Sequence, residues 1–336
     1  MARDPAFDIA KGLGVILVLL GHLNLPFWLI NLIYFFHMPL FVMISGYFHK
    51  KKSPCELLNS AVRLYLAYLI YGLVFLFISW IISGHFELNS LTVLFLAMPV
   101  SIWGISYFGI FWFIIALMVI KVISQLAQPN YLTLAISLIL FFVTWYIQKN
   151  YLAIVDLPFA PAQVIMLYPF YVVGYLIKDY LPSIKKVAWV FYFAFILISI
   201  FSIIFANGTE GKIVNYHQIF LFNPLIALVL AILGSVSLIL LSGRIVLFQK
   251  RIINTIMNVG EYSFLYFAIH LLLFAMISNA LNYLNINNAT ARVIIMLLGT
   301  LLISRLIIII FRNIEKVSPG MIKLFPAHAL GGTDYL

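Results

Sequence analysis

Ten apolar stretches of about twenty residues, parted by short polar breaks, run the length of this chain: 9–28, 30–48, 59–83, 107–127, 131–149, 161–178, 186–206, 218–242, 261–282 and 291–312. A helix rises about 1.5 Å per residue, so roughly 20 apolar residues cross a hydrocarbon core of ~30 Å. Inside lipid every backbone N–H and C=O must be satisfied within the segment, which a helix achieves. The expected fold is therefore all-α, a polytopic transmembrane helical bundle of about ten spans. Soluble domains carry roughly a quarter charged residues. Here the share is 9%, with 65% apolar residues and a mean hydropathy of +1.12. Twenty Lys and Arg with ten Asp and Glu cannot solvate a 38.3 kDa globule. That excludes a cytosolic enzyme, a nucleic-acid binder and a disordered chain. The first apolar run, Gly12 to Ile30, is longer than a signal-peptide core and lacks a small-residue cleavage site, so it reads as a retained span.

The stretch 88–103 is also apolar, but it is short and interrupted by Pro99. It reads as a re-entrant or interfacial helix rather than an eleventh span. Charge then sets the orientation. With the N-terminus inside, 17 Lys and Arg fall on inner segments and three, Lys149, Lys212 and Arg292, on outer ones. The positive-inside rule thus predicts a multi-pass protein of the plasma (inner) membrane with both termini cytoplasmic. Residues 1–327 read as a single membrane domain without an appended one, and 328–336 as a flexible tail. Cys55 is the sole cysteine, so no internal disulfide or Cys-rich metal site forms. Beside Lys50–Lys52 it reads as a bystander or a palmitoylated thiol.

Ionisable groups inside spans are costly and mark function. The first span carries Asp8, Lys11 and His22. Lys11 and His22 are eleven positions apart, close to three turns, so their side chains leave one face about 16 Å apart along the axis. Asp8, three residues before Lys11, shares that face. Gly12 and Gly14 thin the helix there and admit another helix or a ligand. On the second span His37 lies ~9 Å below the outer boundary, and His22 lies ~14 Å below it. The two spans are joined by a short loop and are neighbours. His270, on the ninth span, also falls near mid-depth, although a hydrogen bond to a neighbouring carbonyl or Ser explains it equally well. No His-Glu-x-x-His or comparable ligand spacing occurs, and no metal is expected.

A cation at the cytoplasmic mouth with a histidine three turns deeper suits a long ligand with an anionic head and a reactive tail. Acyl-CoA has that shape. Lys11, helped by Arg63 and Lys50–Lys52, would hold the phosphates. The thin arm would run up the glycine-lined face of the first helix, leaving the thioester near His22. A neutral imidazole there would take the proton of an attacking hydroxyl, its tautomer set by a carboxylate or a peptide carbonyl.

These residues also resemble a known family. Asp8-Ile-Ala-Lys11-Gly12 through Gly21-His22 is similar to the opening signature of membrane acyltransferase family 3, in which a basic residue precedes a histidine by eleven positions. Phe36-His37-Met38-Pro39-Leu40-Phe41 and Ile44-Ser45-Gly46-Tyr47 resemble the second-span signature of its fucose 4-O-acetylase-like sugar O-acetyltransferases. Weaker likeness lies in Phe111–Leu117, in Pro169–Tyr175, and in Gly260-Glu261-Tyr262-Ser263 followed by His270. The resemblance implies acetyl-CoA as donor, without a metal, and a glycan hydroxyl or its lipid-linked precursor as acceptor. By position it implies His22 as the catalytic base and His37 as a second active-site member. Lys11, Asp8, Arg63 and Ser45 form the donor-binding set. The basic position, often Arg in the family, is Lys11 here, which binds phosphate as a point charge rather than a planar fork.

Secondary positions carry two readings each. Arg63 is a phosphate contact or a snorkelling end. Arg305, inside the tenth span, needs an unnamed partner. Glu87, Asp156 and Glu210 touch sugar hydroxyls or are solvated loop carboxylates, and Trp103 and Trp112 stack on sugars or anchor the interface. Two chemical routes stay open, and the sequence does not decide between them: direct attack in a ternary complex, taken here as the working route, and a transient acetyl-histidine. The competing function is a secondary transporter of a sugar or another small solute. Such folds carry internal repeats, and no second copy of the Lys–His or His-Met-Pro pattern occurs here.

Overall fold

The computed structural model describes residues 4–84, 89–98, 111–151, 157–205, 213–246 and 250–317. Helices α1 (Pro5–Gly21), α2 (Phe27–Tyr34) and α3 (His37–Tyr47) open the chain, and α4 (Pro54–Ser83) and the short α5 (Asn89–Phe95) follow. Then come α6 (Trp112–Leu126), α7 (Tyr131–Asn150), α8 (Pro161–Leu176), α9 (Leu181–Lys186) and α10 (Ala188–Phe205). A two-residue hairpin, β1 (Val214–Asn215) with β2 (Phe220–Leu221), precedes α11 (Pro224–Ile245), α12 (Lys250–Glu261), α13 (Ser263–Tyr283) and α14 (Ala289–Val317). The architecture is an all-α polytopic bundle. Among the described residues, seven helical stretches are long and apolar enough to cross a membrane, namely Phe27–Tyr47, Pro54–Ile78, Tyr131–Asn150, Ala188–Phe205, Pro224–Ile245, Ser263–Tyr283 and Ala289–Asn313. The other three expected spans fall on shorter helices, α1, α6 and α8.

The bundle has an apolar core in which a minority of polar side chains are buried, and an apolar outside. Helices α7, α10 and α14 turn exposed Leu, Ile, Val and Phe outward, as lipid-facing helices do. Asp8, Lys11, His37, Ser45, Gln163 and His270 are buried. Helix α1 sits among α3, α11, α12 and α13, and α3 lies against α8 and α11. Two crossings depend on glycine. A Cβ on Gly12 would overlap the carbonyl of Ile256, and one on Gly260 would overlap that of Asp8, so α1 and α12 touch backbone to backbone. Gly46 and Gly174 do the same for α3 and α8, against the carbonyls of Tyr171 and Met43. Gly14 is filled by Leu40 and Phe41. The glycine face of the first helix therefore receives helices, and it is not the groove for a ligand arm that the sequence suggested.

The second expected span is broken. Pro39 has no N–H to give the carbonyl of Phe35, and the helix stops at Tyr34 and restarts at His37. The first expected span also ends early: α1 closes at Gly21, and His22 is its C-cap, exposed rather than sunk within a helix. Of the expected re-entrant stretch, 89–95 is helical and packs against α4, with Leu94 in the gap left by Gly72. Where α5 ends, the carbonyls of Leu94 and Phe95 accept hydrogen bonds from the phenols of Tyr68 (2.9 Å) and Tyr65 (2.6 Å), and that of Leu94 also accepts from the N–H of Ala97 (3.0 Å). A helix that stops at membrane depth needs such partners. Glu87, Trp103, Asp156, Glu210 and the tail 328–336 lie outside the described residues.

Candidate active site

Polar side chains gather at two poles of the bundle. At one, rings from three helices meet. The ring centroids of His22 and His270 are 5.1 Å apart, those of His22 and Tyr34 6.5 Å, and those of Tyr34 and His37 4.7 Å. The three histidines that the sequence places at similar depth thus converge. The break between α2 and α3 supplies the partner for His37, whose Nδ1 lies 2.9 Å from the carbonyl of Ile33. His270 repeats this within α13, its Nδ1 lying 2.8 Å from the carbonyl of Phe267. A carbonyl only accepts, so both neutral rings carry their proton on Nδ1 and their lone pair on Nε2. Among the described residues, no three His, Cys, Asp or Glu side chains are grouped to hold a metal ion.

At the other pole a cavity of about 400 Å³ is lined by Lys50, Lys51, Lys52, Arg63 and Lys121, with Glu56 as its one carboxylate. Ser45, His49, Ser60, Gln125 and Tyr171 complete much of the wall. Local chemistry holds the cations in place. The Gln125 side chain brackets the loop after α3, donating to the carbonyl of Lys50 (2.7 Å) and accepting from the N–H of Lys52 (2.9 Å). The Lys52 ammonium donates to Ser60 Oγ (3.0 Å). His49 Nε2–H donates to Gln128 Oε1 (3.3 Å), its Nδ1 accepts from the Tyr171 hydroxyl (2.9 Å), and its carbonyl accepts from Lys178 (3.1 Å). Burial pushes the His49 imidazole below its ordinary pKa of 6.5; the Gln128 bond opposes this, and Lys178 and Lys52 add to it. Ser53 and Glu56 cap α4 reciprocally, fixing the helix that carries Ser60 and Arg63.

The sequence candidates divide between these poles. His22 and His37 belong to the histidine cluster, and Ser45 and Arg63 line the cavity. Ser45 Oγ is buried and has no hydrogen-bond partner among the described residues. Lys11 and Asp8 form a buried ion pair at 2.8 Å, so the charge of Lys11 is already balanced. Lys121 is the residue that sequence reasoning passed over. It lies within coulombic range of Lys52 and Lys11, and its signal was there: a lysine inside an otherwise apolar helix. Trp112 is 6% exposed, with its ring face against His217 at 5.5 Å, so it offers no sugar platform. Arg305 lies on an exposed face of α14 within coulombic range of Tyr266.

The two poles are joined by α1 and α3. His37, Phe41 and Ser45 recur every fourth residue along one stripe of α3, so about 12 Å separates the first from the last. Phe41 lies between them. Its ring fills Gly14 on α1 and leads through Phe113 (6.2 Å) and Phe267 (5.5 Å) to His270 (6.0 Å).

The family model described as "Acyltransferase domain" matches residues 4–309, which include both poles. The chain belongs to this acyltransferase family. Among curated proteins it is similar to the nodulation protein NolL of Mesorhizobium japonicum, 28% identical over 244 residues, which cover 66% of this chain and 60% of that relative. The chain thus spans about three-fifths of the length of that curated relative. NolL of Sinorhizobium fredii is 50% identical over a shorter stretch of 56 residues, 13% of this chain and 15% of the relative. No solved structure matches. This is a membrane protein built around an acyltransferase domain.

Proposed function

We propose that the chain is an integral-membrane O-acetyltransferase that moves acetyl from cytoplasmic acetyl-CoA to a hydroxyl of a cell-surface glycan or its lipid-linked precursor. The observation that carries this reading is the pairing of a basic cavity with a histidine cluster at opposite ends of α1 and α3. A donor with a phosphate head and a thin arm ending in a thioester matches that separation. Lys50, Lys52, Arg63 and Lys121 hold the phosphates. Lys11 contributes less than its place in the sequence suggests, because Asp8 neutralises it, and Asp8 acts on the donor only through Lys11. Ser45, whose Oγ has no hydrogen-bond partner among the described residues, offers the arm its first hydrogen bond. From there the arm follows the Ser45–Phe41–His37 stripe, and the rings of Phe41 and Phe113 part to admit it.

At the far end His22 is exposed, so an acceptor reaches it without crossing the bundle. Its imidazole takes the hydroxyl proton as the oxygen bonds to the acetyl carbon. The carbon–sulfur bond then breaks, and the departing thiolate recovers that proton. His37, its tautomer set by Ile33, faces the same space through Tyr34.

The test is turnover of labelled acetyl-CoA by the full chain in lipid. Wild type is expected to transfer or hydrolyse acetyl, and His22→Ala to lose about 10²–10⁴-fold in kcat with donor affinity intact. A folded preparation that neither binds nor consumes acetyl-CoA rejects the donor and returns solute transport as the reading to examine. A stable labelled acetyl-protein formed without acceptor rejects direct transfer.

A further inference from the structure

His270 is fully buried, and one of its two ring nitrogens has no hydrogen-bond partner among the described residues. Its Nδ1–H is committed to the carbonyl of Phe267 at 2.8 Å, which leaves the lone pair on Nε2. That nitrogen is buried and has no hydrogen-bond partner among the described residues. An unmet buried acceptor is destabilising, and a phenylalanine would fill a similar volume without that cost. Phe267 and Phe274 flank the ring at 6.0 and 5.8 Å, and the polar ring against it is His22, 5.1 Å away.

We propose that His270 is the positioning residue for His22, and that its Nε2 receives the second ring N–H of His22 during acyl transfer; this rests on the reading given under Proposed function. When the acceptor hydroxyl gives its proton to one nitrogen of His22, the other nitrogen carries the ring's remaining N–H. His270 Nε2 accepts a hydrogen bond from it, which orients the ring and stabilises the imidazolium. No proton is consumed, since the one taken from the hydroxyl leaves with the thiolate of the donor. His270 touches neither donor nor acceptor. It acts as the third member of a base–orienter pairing, with imidazole where other hydrolases and transferases place a carboxylate.

The experiment uses the full chain in lipid with labelled acetyl-CoA, and compares His270→Phe and His270→Gln, each alone and combined with His22→Ala. His270→Phe is expected to lower kcat roughly tenfold or more with donor Kd unchanged. His270→Gln, whose amide oxygen reaches the place of Nε2, is expected to recover part of that loss. In the His22→Ala background His270→Phe is expected to cause no further fall, because the residue it serves is gone. The inference is overturned if His270→Phe leaves kcat unaltered. It is equally overturned if the same fall recurs without His22, or if donor affinity drops in parallel. Absence of turnover in wild type is a separate result that rejects the acyl-transfer reading itself.

Discussion

The histidine pole and the basic pole solve opposite problems with different parts of the chain. At the histidine pole two of the three rings are buried, and backbone carbonyls one turn away fix their tautomers, so orientation comes from helix geometry alone. At the basic pole a loop between two helices carries Lys50–Lys52 beside Arg63 of α4 and Lys121 of α6, and the side-chain amide of Gln125, from a distant helix, holds the loop. One end holds its rings in a fixed geometry. The other is built to gather charge where water still reaches it. Each property can be broken separately.

The largest contrast is one of sidedness. Cys55 is exposed and stands beside Lys50–Lys52, so it reports which side of the membrane the basic pole faces. A membrane-impermeant thiol reagent is expected to label it in inverted vesicles and not in intact cells; labelling from outside would reverse the orientation and with it the cytoplasmic donor. Next in size is the buried ion pair. Asp8→Ala leaves the Lys11 ammonium without its partner and is expected to lower stability by about 3–5 kcal/mol. Adding Lys11→Met to that variant should restore most of the loss, as thermal melting in detergent would record. If the double variant is no better, Asp8 serves something other than Lys11.

A smaller effect belongs to the cavity. Arg63→Ala and Lys121→Ala are each expected to weaken donor binding about tenfold, with kcat at saturation preserved and the loss shrinking at high salt. A fall in kcat instead would mean that the two poles are not separable. The smallest effect concerns pH. Burial holds His49 below its ordinary pKa of 6.5 in the folded chain. As pH falls past about 6.5 the unfolded chain takes up a proton that the folded chain resists, so stability declines over that window. His49→Gln should flatten this part of the melting profile, and an unchanged profile would show that another group sets it.

The spans were legible because hydropathy summed over twenty residues tolerates local error, and the offsets of His22, His37 and His270 along those spans suggested a similar depth. What escaped the sequence was where helices stop. Pro39 and the Gly21-His22 turn carry the signals, yet a hydropathy run reads straight through both. The direction in which Gly12 and Gly14 open was also hidden, because a missing Cβ admits a helix as readily as a ligand. Lys121 gains meaning only when Gln125 draws the Lys50–Lys52 loop to it from more than seventy positions away. No local pattern records that approach. Trp112 misled for a related reason: its neighbour His217 lies far along the chain.

The reciprocal glycine crossings have a mechanical consequence. Where α1 meets α12 and α3 meets α8, carbonyls sit in the notches left by the absent side chains, so neither pair can slide along its axis without driving a carbonyl into the next, bulkier residue. Relative motion of these helices is therefore expected to pivot at the two crossings rather than shear along them.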